Sequence, residues 1–488
     1  MADFVTYRAF GAKGDRKTDD FAAICAAHDY ANEHRLPVKA DAGDTYYIAA
    51  HKTSAIIRTD TDWTDAKFIF DDSERSVEDR LHHVFRVLRD TKETVDLIGM
   101  GLTSLKEGQS VLPIRPAKDL MVDVTDNHIA NFIREGLNQN SGSAQTDCFI
   151  LRTDGTVDPT TPIIWDFPEI TECVAFPLDD APLTIRGGTI TTIANRAPSR
   201  YTYYTTGFLI GRSHVTVDGL THYVEGELDH GAPYNGILQI NHCAHVTVKN
   251  CLFTAHYIYQ TIGAADKPVP MGTYDIRCRA SIDVTFEDCD QTTDIMDRRY
   301  WGLFVSDFCK NLTLIRCRFS RFDAHMGVVN ATIRGCTLGW QCLNAIGHGT
   351  LTVEDTTACG VSFVNLRPDY GSTWKGDVII RRCRWLPFPK ENGNSLIGGS
   401  YHGGHDFGFP CYMPRTVTIE DLAVEDEKCS AIHILGNITP ANTDDSFSYT
   451  YPYRITEKVL ARGIRTASGR PWALSRNMYM YRNTVVEE

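Results

Sequence analysis

The chain has no uninterrupted apolar run long enough to cross a bilayer, so neither a membrane-spanning helix nor a membrane partner is expected. None of its 15 cysteines forms a Cys-x-x-Cys pair, which removes the usual spacing of a structural zinc site or a dithiol redox centre. Positive charge is also short, with 49 Lys and Arg against 62 Asp and Glu and a formal net charge of -13. Such a chain repels nucleic acid and anionic surfaces at a distance, so nucleic acid is not an expected partner. The opening Met1-Ala-Asp-Phe-Val-Thr-Tyr7 lacks the basic segment, apolar stretch and cleavage site of a secretion signal, which makes a cytoplasmic location the expectation. With 42% hydrophobic and 23% charged residues, wholesale disorder is excluded.

What is present is a repeat. One short phrase returns as Leu183-Thr-Ile, Val215-Thr-Val, Val246-Thr-Val, Val284-Thr-Phe, Leu312-Thr-Leu, Ala331-Thr-Ile, Leu351-Thr-Val, Val378-Ile-Ile and Val417-Thr-Ile. Four residues after each central position stands a small or apolar residue, in the series Gly188, Leu220, Cys251, Cys289, Cys317, Cys336, Thr356, Cys383 and Leu422. Copies spaced roughly 20 to 40 residues apart are units that bury their apolar face only by stacking on the next. The alternation is that of strands, so each unit reads as one turn of a parallel β-solenoid, with reduced cysteines lining a narrow interior. A solenoid grows along one axis, and 488 residues fit one body.

Four segments are expected. Residues 1–50 form an N-terminal cap and first coil. Within them, Phe21, Ile24, Cys25, His28 and Ala31 mark one face of a helix running from Phe21 to about His34, with Thr18 or Asp19 as N-cap. Residues 51–182 read as irregular early coils with insertions, 183–424 as regular coils, and 425–488 as a C-terminal cap or subunit contact.

The opening Phe10-Gly-Ala-Lys-Gly-Asp-Arg-Lys-Thr-Asp-Asp20, then a helix, then Ala42-Gly-Asp-Thr-Tyr46, resembles the pectate-lyase-like superfamily. Arg16 replaces the usual glycine, and the second element lacks its proline. The resemblance implies an all-β, single-stranded right-handed parallel β-helix with an N-terminal capping α-helix. It leaves the activity open, because hydrolases, lyases, epimerases and phage tailspikes share this opening. It also implies a carbohydrate partner and a homodimer or homotrimer.

In a solenoid, equivalent turn positions in successive coils line up into columns. Nine to twelve residues past the repeat centre stand Glu225 and Glu227, Tyr257 and Tyr259, Asp294 and Asp297, Asp323 and His325, and Asn344. Carboxylates one or two coils apart would lie roughly 5 or 10 Å apart, separations that suit paired-acid glycosidic chemistry. The densest clusters are Gln291-Thr-Thr-Asp-Ile-Met-Asp-Arg-Arg-Tyr-Trp301 and Ser320-Arg-Phe-Asp-Ala-His-Met-Gly327.

The expected catalytic residues are therefore Asp294, Asp297 and Asp323, with His325 tuning them. Glu225, Tyr257, Arg298, Trp301, Asn344, His348, Arg367 and Asp369 are the expected substrate-binding residues. The order Asp297, Asp323, Gly-His348-Gly, Arg367 is similar in layout to polygalacturonase-type hydrolases, without their characteristic phrases. Glycoside hydrolysis leads. The alternatives are elimination on a uronate with His325, Tyr257 or Arg367 as base, and a non-catalytic glycan-binding or tailspike-like protein. The plain reading of the clusters is solvated turns and ion pairs, such as Asp297 with Arg298. No cofactor is required; if calcium is used, Glu225, Glu227 and Asp229 would collect it. The histidines of Tyr401-His-Gly-Gly-His-Asp406 read as a loop rather than a metal site.

Overall fold

A computed structural model of the chain describes residues 3–49, 51–90, 94–198, 203–227 and 233–488. The repeated phrases fall in one parallel sheet and in register. Leu183 pairs with Val215 and Val215 with Val246, and the column continues through Val284, Leu312, Ala331, Leu351, Val378 and Val417. A slip of one residue would turn every inward side chain outward, so the alternation itself pins this register. The sheet runs past the repeat at both ends. Val5 pairs with Val38, Val38 with Thr61 and Thr61 with Ile185 at the start, and Val417 pairs with Val459 and Val459 with Val486 at the other end. Residues after 424 thus add coil strands, at Lys458–Arg462 and Val485–Glu487.

Two further parallel sheets complete each coil. The second carries Thr221, Leu252, Asp290, Arg318, Thr337, Thr357 and Arg384 in one column. The third stacks Phe85, Phe208, Leu238, Ile276 and Phe304, then Phe322, Leu343, Val364 and Ile397. The architecture is an all-β parallel solenoid.

Between the first and second sheets the chain turns at a residue in the left-handed region, including Asn250, Asp288, Arg316 and Arg382 with φ of 55, 52, 51 and 50°. The next residue points inward, and in five coils it is Cys251, Cys289, Cys317, Cys336 or Cys383, each buried and unbridged. Each thiol lies 3.1 to 3.4 Å from the carbonyl two residues earlier. The last four also reach a carbonyl of the preceding coil, at 3.4 to 3.5 Å. A small apolar side chain with a weak donor suits a corner where carbonyls converge.

Helix α1 (Phe21–His34) closes the first coil, burying Phe21, Ile24, Ala27, His28 and Ala31. Asp20 rather than Thr18 or Asp19 occupies the cap position, but its carboxylate accepts from the amides of Lys13 and Gly14 in the preceding loop instead of capping the helix. At the mouth of the solenoid, Trp63 Nε1 donates to the Tyr7 hydroxyl at 2.7 Å, and that hydroxyl meets His28 Nε2 at 2.8 Å. Burial holds His28 neutral, with its pKa pulled down to about 3. An unfolded histidine binds its proton near pH 6.5, so this contribution to stability is complete above that pH and is lost as pH falls from there toward 3. Between pH 6.5 and 5, His28 should cost about 2 kcal/mol of unfolding free energy. Urea titrations of wild type and His28→Met at the two pH values test this, and an equal pH dependence in both proteins refutes it.

Residues 94 to 182, within the segment expected as irregular early coils with insertions, form an inserted unit. Its strands Leu120–Asn131, Ser143–Leu151 and Glu172–Pro177 make an antiparallel sheet, with a separate core that includes Leu97, Leu112, Val122, Phe149 and Phe167. Such a sheet has no repeat period to read, because its strands pair with one another rather than with the next coil. Met121, Cys148 and Ile150 pack on Ala244 and Ile282 of the solenoid. Lys310 of the solenoid reaches Asp147 of the insertion at 2.8 Å in a fully buried ion pair.

Candidate functional site

The long strand Arg318–Arg334 carries an irregularity where it crosses the third sheet. Ser306 pairs with Ala324, but Asp307 pairs with Met326, which leaves His325 as an extra residue. Bulges of this kind re-aim a side chain and recur beside functional sites. His325 here lines a cleft of about 520 Å³ with Tyr234, Tyr274, Trp301, Asp307 and Arg321. Arg277 and Arg367 complete the solenoid side, and the insertion contributes Arg134 and Asn138. Trp301 lies against the backbone of Gly272, where a Cβ would come 1.7 Å from the ring, and Arg321 covers it with its guanidinium 4.8 Å from the ring centre.

Two ionic clusters set the chemistry. In the first, Asp323 is completely buried and accepts from Arg367 Nη1 at 2.8 and 2.7 Å, Arg321 Nη2 at 2.6 Å and Tyr274 OH at 2.8 Å. Arg367 also grips Asp369, at 3.1 and 2.7 Å, and Arg134 reaches the same carboxylate at 2.7 Å. Burial opposes the charge on Asp323, but the two guanidinium groups outweigh it and hold the carboxyl well below the ordinary range. Asp369 is lowered by the same balance of burial against Arg367.

In the second cluster, Asp307 accepts from Arg277 at 2.9 Å and lies 3.1 Å from His325 Nδ1. Burial again works against its charge, and the His325 hydrogen bond with the nearby cations overrides it and depresses the carboxyl. The far ring nitrogen, His325 Nε2, stands 3.3 Å from the hydroxyl of Tyr370, whose pKa burial pushes up to about 12. Bonding of Nδ1 to a carboxylate fixes the tautomer that leaves Nε2 as an acceptor.

Of the residues expected from sequence, Trp301, Asp323, His325 and Arg367 converge here, and Asp369 supports Arg367. Asp323 lies beneath the two arginines as a fixed charge rather than free in the cleft. Asp294 and Asp297 sit in an exposed turn: the Asp294 carboxylate accepts from the amide of Met296, and Asp297 binds Arg299, not Arg298, at 2.6 to 3.1 Å. Arg298 covers Phe388 at 4.9 Å, and Tyr257 packs on Tyr300 at 4.7 Å. Glu225 ends a second-sheet strand, pairing with Ile193. His348 is on the first sheet, edge-on to Trp165 of the insertion at 4.8 Å, and burial pulls its pKa down to about 3. Asn344 pairs with Asp323 in the third sheet but lines a different groove. The constant-offset column thus holds for Asp323 with Asn344 and for Glu227 with Tyr257 and Tyr259, and it breaks at Asp294 and Asp297, because loop lengths differ from coil to coil.

Glu227 is engaged elsewhere, by His256 Nδ1 at 2.8 Å, the Tyr257 amide at 3.1 Å and Tyr259 OH at 2.8 Å. His256 also meets Asp275 at 3.1 Å, and Asp275 meets His222 at 2.7 Å, all buried beneath the Tyr234 side of the cleft. Burial disfavours the His256 cation, yet Glu227 and Asp275 together push its pKa up to about 10. Asp229 lies outside the described residues, and among those no cluster of three or more metal-ligating side chains occurs. His402 and His405 contact Glu135 and the Ile133 carbonyl of the insertion.

Sequence reading missed Arg134, Tyr274, Arg277, Asp307 and Arg321. Asp307 and Arg277 precede their repeat phrases by five and seven residues, on the third-sheet strands. Reading each phrase backward as well as forward would have put Asp307 in view. Arg134 carried no such mark, because it reaches the cleft from the insertion.

No protein-family model and no curated protein matches this chain. Among solved structures, it is similar to the tailspike of Pseudomonas phage phi297, with a TM-score of 0.59 and 12% identity over 100% of this chain and 84% of that one. It is also similar to the tailspike of Acinetobacter baumannii bacteriophage AP22, solved in complex with capsular saccharide, with a TM-score of 0.49 and 9% identity over 99% and 79%. The pneumococcal surface protein and adhesin PfbA aligns with a TM-score of 0.46 and 12% identity over 97% and 100%. The phi297 likeness identifies the fold as a parallel β-helix of the tailspike kind.

Proposed function

We propose that the protein is a carbohydrate-active enzyme whose cleft cleaves an acidic glycan beside a uronate by β-elimination, with His325 as proton acceptor. The observation that carries this reading is the pairing of His325 Nδ1 with the depressed Asp307 carboxylate, which makes Nε2 the accepting nitrogen; it meets the Tyr370 hydroxyl at 3.3 Å, a contact that the substrate C–H would replace. Paired-acid hydrolysis needs a carboxyl that keeps its proton near neutrality. Asp307, Asp323 and Asp369 are each bound to arginine and held ionised, so hydrolysis is the weaker reading. Four arginines against these three carboxylates leave an excess of fixed positive charge, which favours an anionic sugar. Trp301 lines the cleft with Arg321 over its ring, so a sugar would meet the indole at its edge.

In this mechanism His325 Nε2 removes the proton from the carbon bearing the uronate carboxylate, while an arginine neutralises the charge that develops on that carboxylate. The electrons of the C–H bond form a carbon–carbon double bond as the C–O bond to the departing sugar breaks. The departing oxygen takes up the proton from the imidazolium. Incubation with uronate-containing polysaccharides should release reducing ends together with ultraviolet absorbance of the unsaturated product. Reducing ends without absorbance would establish hydrolysis, and glycan binding with neither product would make this a binding protein.

A further inference from the structure

A second groove, of about 440 Å³, lies across the Arg367–Tyr370 turn from the cleft, with Pro368 in its wall. The third sheet links the two places. Asp323 pairs with Asn344, and Asn344 pairs with Asn365, so the buried acid beneath the cleft is followed by amides one and two coils on, at about 4.8 Å per coil. Asn365 Nδ2 donates to Asn344 Oδ1 at 2.7 Å, and Asn344 Nδ2 donates to the Gln341 carbonyl at 2.7 Å.

Trp340 borders this groove, with its indole N–H buried and without a hydrogen-bond partner. Two of its glycines pack closely on serines: a Cβ on Gly398 would meet Ser362 Oγ at 2.1 Å, and one on Gly399 would meet the buried Ser372 Oγ at 2.6 Å. Among the described residues that line it, none is a carboxylate, histidine or tyrosine, and the cations are Lys390 and Arg476. The groove therefore has amide and hydroxyl groups, an aromatic edge and exposed peptide, but no group suited to moving a proton near neutrality.

We propose that this groove is a separate binding site for uncharged sugar units, hexoses or N-acetylhexosamines, and that no reaction takes place in it. Side-chain amides and serine hydroxyls match sugar hydroxyls and acetamido groups as both donors and acceptors. Trp340 supplies an apolar face with a donor that lacks a partner. The site does not depend on the elimination chemistry, because none of its lining residues belongs to the ionic clusters of the cleft.

The test is an array of neutral and acidic glycans probed with the full chain carrying His325→Gln, followed by titration of the best neutral ligand. Neutral glycans should bind, and the affinity should fall about tenfold in Trp340→Ala, the loss expected from one aromatic contact. The exposed Asn392→Ala provides a second variant that does not disturb the core, and it should weaken the same ligand with an unchanged melting temperature. Capture of acidic glycans alone, no capture, or neutral binding that both variants retain would each overturn the proposal.

Discussion

Replacing His325 by glutamine should lower turnover about 10²- to 10⁴-fold, the range by which a positioned general base accelerates proton transfer, while leaving the protein folded. The expectation of a normal fold rests on placement. His325 is the extra residue of a bulge, with its side chain 26% exposed, so its loss opens no core cavity. Steady-state kinetics and a thermal melt on the same preparation separate the two effects. Asp307→Asn should also lower turnover, because Asp307 orients the His325 ring through Nδ1. A His325 variant with wild-type kinetics would remove the histidine from the mechanism.

Asp323→Asn should destabilise the fold by about 3–5 kcal/mol, the usual consequence of removing one partner from a buried ion pair. Arg321 and Arg367 would be left facing each other with no charge between them. Denaturant titration reads this directly. Asp297→Asn, in its exposed turn, should stay within about 0.5 kcal/mol of wild type. If Asp323 is a catalytic acid instead, Asp323→Asn will lose activity at unchanged stability. The pH dependence has a definite sign as well. The folded Asp323 and Asp307 carboxyls lie below their unfolded values, so their contribution is complete above about pH 4 and is lost as pH falls from there.

The ladder from Leu183 to Val417 was legible residue by residue, and so were the inward cysteines and the buried face of α1. Strand alternation and corner spacing are local properties, and a parallel solenoid repeats them with little help from distant contacts. The insertion was not legible in this way. Its strands pair only with each other, so residues 94 to 182 looked aperiodic. The cleft was half legible. Asp323, His325 and Arg367 stood out by composition, but the same reasoning picked Asp294 and Asp297, which are equally acidic and lie in a solvated turn.

The sequence by itself determined the coil, its register and its thiol-lined corner, because each follows from a period that any three successive copies reveal. Only the tertiary structure decided which acids are fixed charges and which histidine can accept a proton. Those properties depend on the distance of a carboxylate from guanidinium groups 30 to 44 residues away, as for Asp307 with Arg277 and Asp323 with Arg367. No local pattern encodes such distances. They arise where coils of unequal length bring unrelated turns together.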